Sequence, residues 1–490
     1  MKNKKILGFL AIILLILVVA PYFIGNKAKA LLQKQAIQIS ELPGYKLEIR
    51  TYDQGWFSSS AVVAYGFDEH TLNILEASID KKYSFDKSTY KLLKNGFIVD
   101  VTVAHGPITF QNGVNFALLT LAGRLQDMDY ADFNDTMTKN NLDSMFDLFT
   151  SVSYGGTTTI KATVPAFKEN DPKIEIGVIF SGMELQATLN AQQDEFGIFF
   201  NFPGLEILSP NGDLSLHGIT GQATGTKMND FLWLGKGNFS LGHFKIENST
   251  DGLTLSLNNF SNDYDLSKES DTTLTMRLQS KAGSFVANED GQDVELADIT
   301  LDFTLNHLNS EAITDYIKSI KQSYQLTEQT QEQTTANLQA IAARIGEKLL
   351  KDSPEMIVTD LGFLMGGGFL KSEAKLSIDG DGLENIQQLS DPIALNKRLV
   401  LQVNIKFDKA IANAMTAIGL KKQMAAGGAD LASMPKAQRD QMINLQTSTA
   451  LQTFINQGYL TQEGEIYSLH FDMKNGQRLV NGKPLAIPGM

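Results

Sequence analysis

The sequence predicts an α+β protein: an extended, largely antiparallel, curved β-sheet with helical insertions, preceded by one N-terminal transmembrane helix. Three observations carry this. Apolar side chains recur with period two through most of Tyr45 to Leu305. The period switches to that of a helix over Glu311 to Leu350 and again near Ile411. Ile6 to Gly25 is a 20-residue stretch without an Asp, Glu, Lys, Arg or His, and at about 1.5 Å per residue it spans about 30 Å, the thickness of a bilayer core.

The chain opens with a basic head, residues 1–5, carrying Lys2, Lys4 and Lys5. Residues 6–25 follow as the anchor, with Tyr22 and Phe23 where an aromatic belt meets the outer interface. Ala28-Lys29-Ala30 offers the small-residue pattern of a cleavage site. The apolar run exceeds a usual signal core, which favours an uncleaved anchor with its N-terminus in the cytoplasm. Lys27, Lys29 and Lys34 beyond the span weaken the charge asymmetry that sets orientation.

Residues 26–305 read as a β-rich periplasmic region. Tyr45, Leu47 and Ile49 alternate with Lys46, Glu48 and Arg50, and Ile299, Leu301 and Phe303 alternate with Thr300, Asp302 and Thr304. Pro210-Asn211-Gly212-Asp213, Thr250-Asp251-Gly252 and Asn288-Glu289-Asp290-Gly291 read as hairpin turns. Within this region, residues 112–149 are expected to hold two short helices, because ALLTLAGRL and LDSMFDLF have helical spacing.

Residues 306–358 form a helical insertion, with stripes at Ile313, Tyr316, Ile317, Ile320 and at Leu338, Ile341, Ile345, Leu349. A Gln/Thr-rich tip joins them. Residues 359–490 complete the domain with strands near Phe363–Ile378 and Leu399–Phe407, helices around Ile411–Ile418 and MINLQTSTALQTFINQG, and a closing strand at Tyr467–Met473. Length alone allows about three domains, but strands on both sides of the central helices argue for one anchor and one large, two-lobed domain.

Composition excludes several functions. With no Cys there is no disulfide, thiolate metal site or lipid-modified Cys. The chain has 42 basic and 55 acidic residues, net −13. Five of the basic residues and none of the acids lie in residues 1–30, so the remainder holds 37 against 55, net −18. Such a surface disfavours nucleic acid as a partner.

Motifs for chemistry are weak. Ser88-Thr89-Tyr90-Lys91 matches a serine–lysine pattern without its companions. Asp379-Gly380-Asp381-Gly382 starts like a calcium loop, but Leu383 and Glu384 stand where a ligand and a Gly are needed, so it reads as a turn. Gly366-Gly367-Gly368 lacks a dinucleotide-site context and reads as tight packing. No two of the six His have the spacing of a helical metal site. No catalytic, metal or cofactor-binding residue is assigned, and no cofactor is expected.

Four other features combine specifically. They are Tyr52-Asp53-Gln54-Gly55-Trp56-Phe57-Ser58-Ser59-Ser60, Ala104-His105-Gly106-Pro107, Gly458-Tyr459-Leu460, and Asn481-Gly482-Lys483-Pro484-Leu485. Read physically, Gly55-Trp56-Phe57 is a corner that plants two aromatics in a core or, alternatively, offers them to a ligand. His105 ends a strand and bonds locally. With these motifs the chain resembles the YdgA-like family of bacterial membrane-anchored envelope proteins. The resemblance implies a single anchor in the inner membrane and a large periplasmic domain, and it transfers no catalytic residue.

The function expected is that of a noncatalytic envelope protein that binds or shields a hydrophobic ligand such as lipid along its sheet, a layout similar to that of AsmA-like proteins. One alternative is a structural protein docking envelope partners through its helices. A less favoured one is a wall or glycan hydrolase, which needs two facing carboxylates.

Overall fold

The computed structural model describes residues 2–40, 44–69, 96–125, 131–171, 175–249, 252–289, 292–325, 331–383, 385–426 and 434–485, with positions 42, 71, 72, 93 and 94; of these, the side chains at 2–18, 38, 131–134, 171, 289, 292–293, 323–325, 331–338, 390, 422 and 425–426 are outside the description. Two compact units make up the chain. One comprises Met1–Ser209, Gly218–Trp233 and Ile317–Thr335, and the other Pro210–His217, Leu234–Tyr316 and Ala336–Met490.

The first unit begins with helix α1 (Lys2–Ser40). Strands β1 (Tyr45–Gln54), β2 (Ser58–Phe67), β3 (Phe97–His105) and β4 (Leu119–Leu125) follow. Helix α2 (Ala131–Lys139) precedes β5 (Asp147–Val152), β6 (Thr158–Val164), β7 (Phe167–Asp171), β8 (Ile176–Phe180), β9 (Met183–Leu189) and β10 (Glu195–Leu208). Neighbours pair antiparallel in the order β1, β2, β3, β4, β5, β6, β9, β10, β8, β7. A register shift between Ile49 and Thr51 interrupts the β1–β2 ladder, a bulge that increases local twist. Leu47 and Ile49 turn inward onto Ala61, Val63, Val101, Val103 and Leu119, as their alternation predicts.

The two helices expected in residues 112–149 are not there. ALLTLAGRL supplies β4 and LDSMFDLF leads into β5, while the helix of this stretch lies between them at Ala131–Lys139. The reason is that both faces are covered at the start of β4. Leu119 is buried on one face and Thr120 on the other, where its hydroxyl donates to the Gln111 amide oxygen and is hydrogen-bonded to the Thr109 hydroxyl. A strand dry on both faces loses the period-two signal and mimics a helix.

In the order of the chain, β11 (Leu214–Lys227) and β12 (Trp233–Asn248) come next. The chain continues with β13 (Leu253–Lys268), β14 (Thr273–Glu289) and β15 (Gln292–Asn309), then helices α3 (Ser310–Gln325) and α4 (Gln331–Lys351), of which the segment Ile317–Thr335 belongs to the first unit. Strands β16 (Glu355–Met365) and β17 (Gly368–Ile378), helix α5 (Pro392–Arg398) and β18 (Leu399–Asp408) lead to helices α6 (Lys409–Ala426) and α7 (Lys436–Asn456). The chain closes with β19 (Thr461–Glu463), β20 (Ile466–Lys474), β21 (Gln477–Val480) and β22 (Lys483–Pro484). From β12 to β18 each strand pairs antiparallel with the next, and β18 pairs with β20.

The predicted turn at Asn211-Gly212 joins strands, as does Asn475-Gly476, the latter with φ of 53° and 76°. The tips at 250–251 and 290–291, residues 326–330 of the Gln/Thr-rich stretch 322–339, residues 427–433, His70 and Ser88 to Lys91 lie outside the described residues, while the rest of the Gln/Thr-rich stretch is helical. Gly366 and Gly367, at φ of 59° and 81°, form the β16–β17 turn. Gly368 lies flush against Asp408 and Ile411, which is the tight packing expected there. Asp379-Gly380-Asp381 is a turn whose carbonyls accept from the Arg398 guanidinium at 2.9 and 2.7 Å.

Candidate functional site

The C-terminal half of α1 presents Pro21, Ile24, Gly25, Ala28, Leu32 and Ile39 on one face, the spacing that keeps side chains on a single stripe. Pro21, Ile24 and Ala28 are buried against the sheet. The small residues matter because they let the helix approach closely. A Cβ at position 25 would overlap the imidazole of His105.

His105 is the polar centre of this joint and is 3% exposed. Its Nδ1 faces the Trp56 carbonyl at 3.2 Å and its Nε2 faces the Ser59 hydroxyl at 2.9 Å. A carbonyl only accepts, so Nδ1 carries the proton and the Ser59 hydroxyl donates to Nε2. Burial pushes the His105 pKa below the ordinary histidine value, and the Trp56 and Pro21 carbonyls pull the other way. The imidazole is therefore neutral at pH 7. A serine next to a histidine is also the arrangement of a nucleophile and its base. Here Ser59 and His105 are each 3% exposed, and Gly25 covers the ring, so no substrate reaches them.

The motifs meet here, 45 or more residues apart in sequence. The Gly55 N–H donates to the Ser58 carbonyl at 2.9 Å and the His105 N–H to the Phe57 carbonyl at 2.8 Å. The Gly106–Pro107 bond is cis. Tyr52 donates its hydroxyl to the Gly25 carbonyl at 3.4 Å, and the Lys29 ammonium lies 5.4 Å from the Tyr52 ring centre. The corner at Gly55 forms as predicted, but its aromatics are not in a core. Trp56 is 48% and Phe57 57% exposed, and Trp56 packs against Tyr22 of α1 at 5.0 Å between ring centres. Trp56 and Phe57 lie in the β1–β2 connection at the end of the ladder, where Tyr22 of α1 packs on the Trp56 ring.

Below this joint, α1 roofs a cavity of about 780 Å³. Leu31, Leu32 and Ile39 line it from the helix, Val101, Val103 and Leu121 from the sheet centre, and Phe146, Leu148 and Ile160 from the far strands. None of its 24 lining residues carries a charge, and the only amide or hydroxyl side chains are Gln35, Tyr65, Thr150, Thr158 and Gln193. All seven strands from β1 to β6 and β9 contribute. Strands lie about 4.8 Å apart, so a flat row of seven would be about 29 Å wide. To face one cavity they must curl, as the predicted curved sheet requires. The volume is within the range of about 300–1,000 Å³ usual for small-molecule sites.

The C-terminal motif does different work in the second unit. Asn481 and Gly482, at φ of 48° and 75°, make the β21–β22 turn, and Pro484 pairs with Leu479 where the ladder ends. The Asn481 side chain accepts from the His470 N–H at 2.9 Å and donates to the Gly458 carbonyl at 3.0 Å. It thereby ties the C-terminus of α7 to β20. Leu485 lines a second apolar cavity of about 570 Å³, with Phe407, Met415, Leu451, Phe454 and Leu469.

Among the described residues no group of three His, Cys, Asp or Glu assembles as a metal site, and no carboxylate is buried. Neither cavity is lined by an acidic side chain, one of the two groups a glycan hydrolase sets across its cleft. Sequence reasoning missed Gly25 and Ser59, since only tertiary contact gives a helix glycine and a strand serine their roles.

Residues 1–488 match the model of a family described as bacterial protein of unknown function (DUF945). No curated protein and no solved structure matches the chain.

Proposed function

The chain belongs to the DUF945 family of bacterial proteins, and from that premise we propose a noncatalytic inner-membrane protein of the cell envelope whose first unit holds a hydrophobic ligand of the lipid class. The observation that carries the reading is the uncharged cavity of about 780 Å³ between α1 and the curled sheet. Acyl chains fit such a lining because each buried methylene gains about 0.8 kcal/mol and no charged side chain has to lose its water.

The membrane part of the proposal rests on the sequence. Among the described residues no helix is long and apolar enough to cross a membrane. The uncharged stretch Ile6–Gly25 supports an anchor, and it runs within α1 into the cavity's roof. The resemblance to YdgA-like envelope proteins supports a periplasmic location for the bulk of the chain.

The test is mass spectrometry of lipid retained by full-length protein purified in mild detergent. Lipid is expected at close to one molecule per chain. Leu121→Trp, which fills the cavity from β4, is expected to release at least about tenfold of it, since about 1.4 kcal/mol of lost affinity is tenfold. Equal retention by wild type and Leu121→Trp would sink the reading.

A second reading has its own observation. Leu445, Met415 and Phe454 on α6 and α7 are 67%, 56% and 46% exposed, and exposed apolar side chains support docking of an envelope partner. Periplasmic crosslinking from Leu445 that captures no protein would count against it.

A further inference from the structure

The end of the first unit beside the helix joint is inside out. In the β3–β4 connection, Thr109 and Asn115 exchange backbone hydrogen bonds at 2.9 and 2.8 Å across a turn at Asn112 and Gly113, whose φ are 53° and 101°. Polar side chains in this small hairpin are turned inward. Thr109 is 2% exposed, Gln111 donates to the Thr102 carbonyl at 3.0 Å, and Asn115 donates to the Gln111 carbonyl at 2.7 Å. Apolar ones point out, with Phe110 76%, Phe116 72% and Val114 64% exposed. A loop meant for water has the opposite arrangement.

Two neighbouring connections share the character. The β1–β2 corner exposes Trp56 and Phe57, and the β5–β6 turn exposes Tyr154, whose hydroxyl donates to the Pro107 carbonyl. Residues 54–61, 105–118 and 153–157 contain no Asp, Glu, Lys or Arg in a chain with 97 such residues. The helix adds Tyr22 and Phe23, 42% and 62% exposed, with Tyr22 against Trp56.

We infer that these three hairpin tips, with Tyr22 and Phe23, form a bilayer-inserting rim, and that its partner is the lipid interface itself. The inference rests on the anchor reading of residues 6–25. If that stretch crosses the bilayer, its outer end at Pro21 to Gly25 lies at the interface. Pro21 and Gly25 are packed on His105 and Tyr52. The hairpin tips next to them are therefore held at the same depth, where aromatic side chains are favoured and charges are not. Aromatic tips set in a rigid, uncharged surface meet that requirement. They seat the first unit against the membrane from which a lipid ligand comes.

The chain has no Cys, so single-Cys variants of the full-length protein can be labelled with a fluorophore and reconstituted in phosphatidylcholine vesicles with and without a doxyl-lipid quencher. Leu14→Cys reports the anchor, Phe116→Cys the rim, and Asp143→Cys an exposed position beyond the opposite end of β4. The expected result is strong quenching at 14 and at 116, several-fold above that at 143. Quenching at 14 with position 116 no different from 143 overturns the rim and leaves the anchor standing. Quenching at neither 14 nor 116 overturns both. Trp56 gives a readout without labelling: in Trp233→Phe its fluorescence is expected to fall with brominated lipid, and an unchanged signal overturns the rim.

Discussion

Each unit of this protein fastens a helix to its sheet through one polar side chain, His105 in the first and Asn481 in the second. Each side chain makes two hydrogen bonds, but their environments differ. Asn481 is half-buried, cannot titrate, and ties the end of α7 to β20. His105 is buried, is titratable, and sits beneath a helix glycine. The second joint is a staple on a fold that also packs Leu451, Leu460 and Tyr467. The first closes the roof of an apolar cavity, so its integrity decides whether the cavity exists. A cavity roofed by one helix depends on that helix's contacts with the sheet.

The largest effect that tests the comparison comes from Gly25→Leu. The side chain has no room beside His105, and overpacking of this kind costs about 3 kcal/mol. Hydrogen exchange is expected to rise in β1 to β4 and stay unchanged in β16 to β20, and bound lipid is expected to be lost. Faster exchange in both units would erase the distinction.

Asn481→Ala comes next. It leaves the His470 N–H and the Gly458 carbonyl without this partner and places Ala at a φ of 48°, at a cost of about 1–2 kcal/mol. Increased exchange is expected at the end of α7 and in β20, with lipid retention unaffected. Loss of lipid from this variant would contradict the separation of roles.

The smallest effect is the pH dependence. The folded His105 has a lowered pKa, so the undocked state binds a proton first as pH falls. The joint's contribution is complete above the ordinary histidine pKa of about 6.5, declines as pH drops below it, and levels off beneath the folded value. Exchange in β1 to β4 is expected to rise between pH 7 and pH 5 more than in the second unit. His105→Asn is expected to flatten that dependence, and an unchanged slope would show that another group is responsible.

How much of this was legible in the sequence differs by region. The alternation at Tyr45 to Arg50 announced a strand because one face is wet, and the stripes from Ile313 and Leu338 announced α3 and α4. Leu119 to Leu125 deceived because Thr120 is as buried as Leu119. His105 and the corner at Gly55 stood out as a motif, but their purpose depended on Ser59, 46 residues away, and on Gly25 in the helix. The core placement expected for Trp56 is not what forms, because a general aromatic preference for burial does not say whether a strand-connecting corner faces the core or the surface. The cavity was invisible locally, being made by seven strands that each contribute only a few ordinary aliphatic residues.

The most direct measurement uses a fatty-acyl lipid carrying a diazirine in its chain, photolysed with the full-length protein in vesicles and mapped by peptide mass spectrometry. Adducts are predicted on residues 28–39 of α1 and on β3 to β5, and they should disappear in Leu121→Trp. Adducts confined to residues 6–25 or to the second unit would contradict the account.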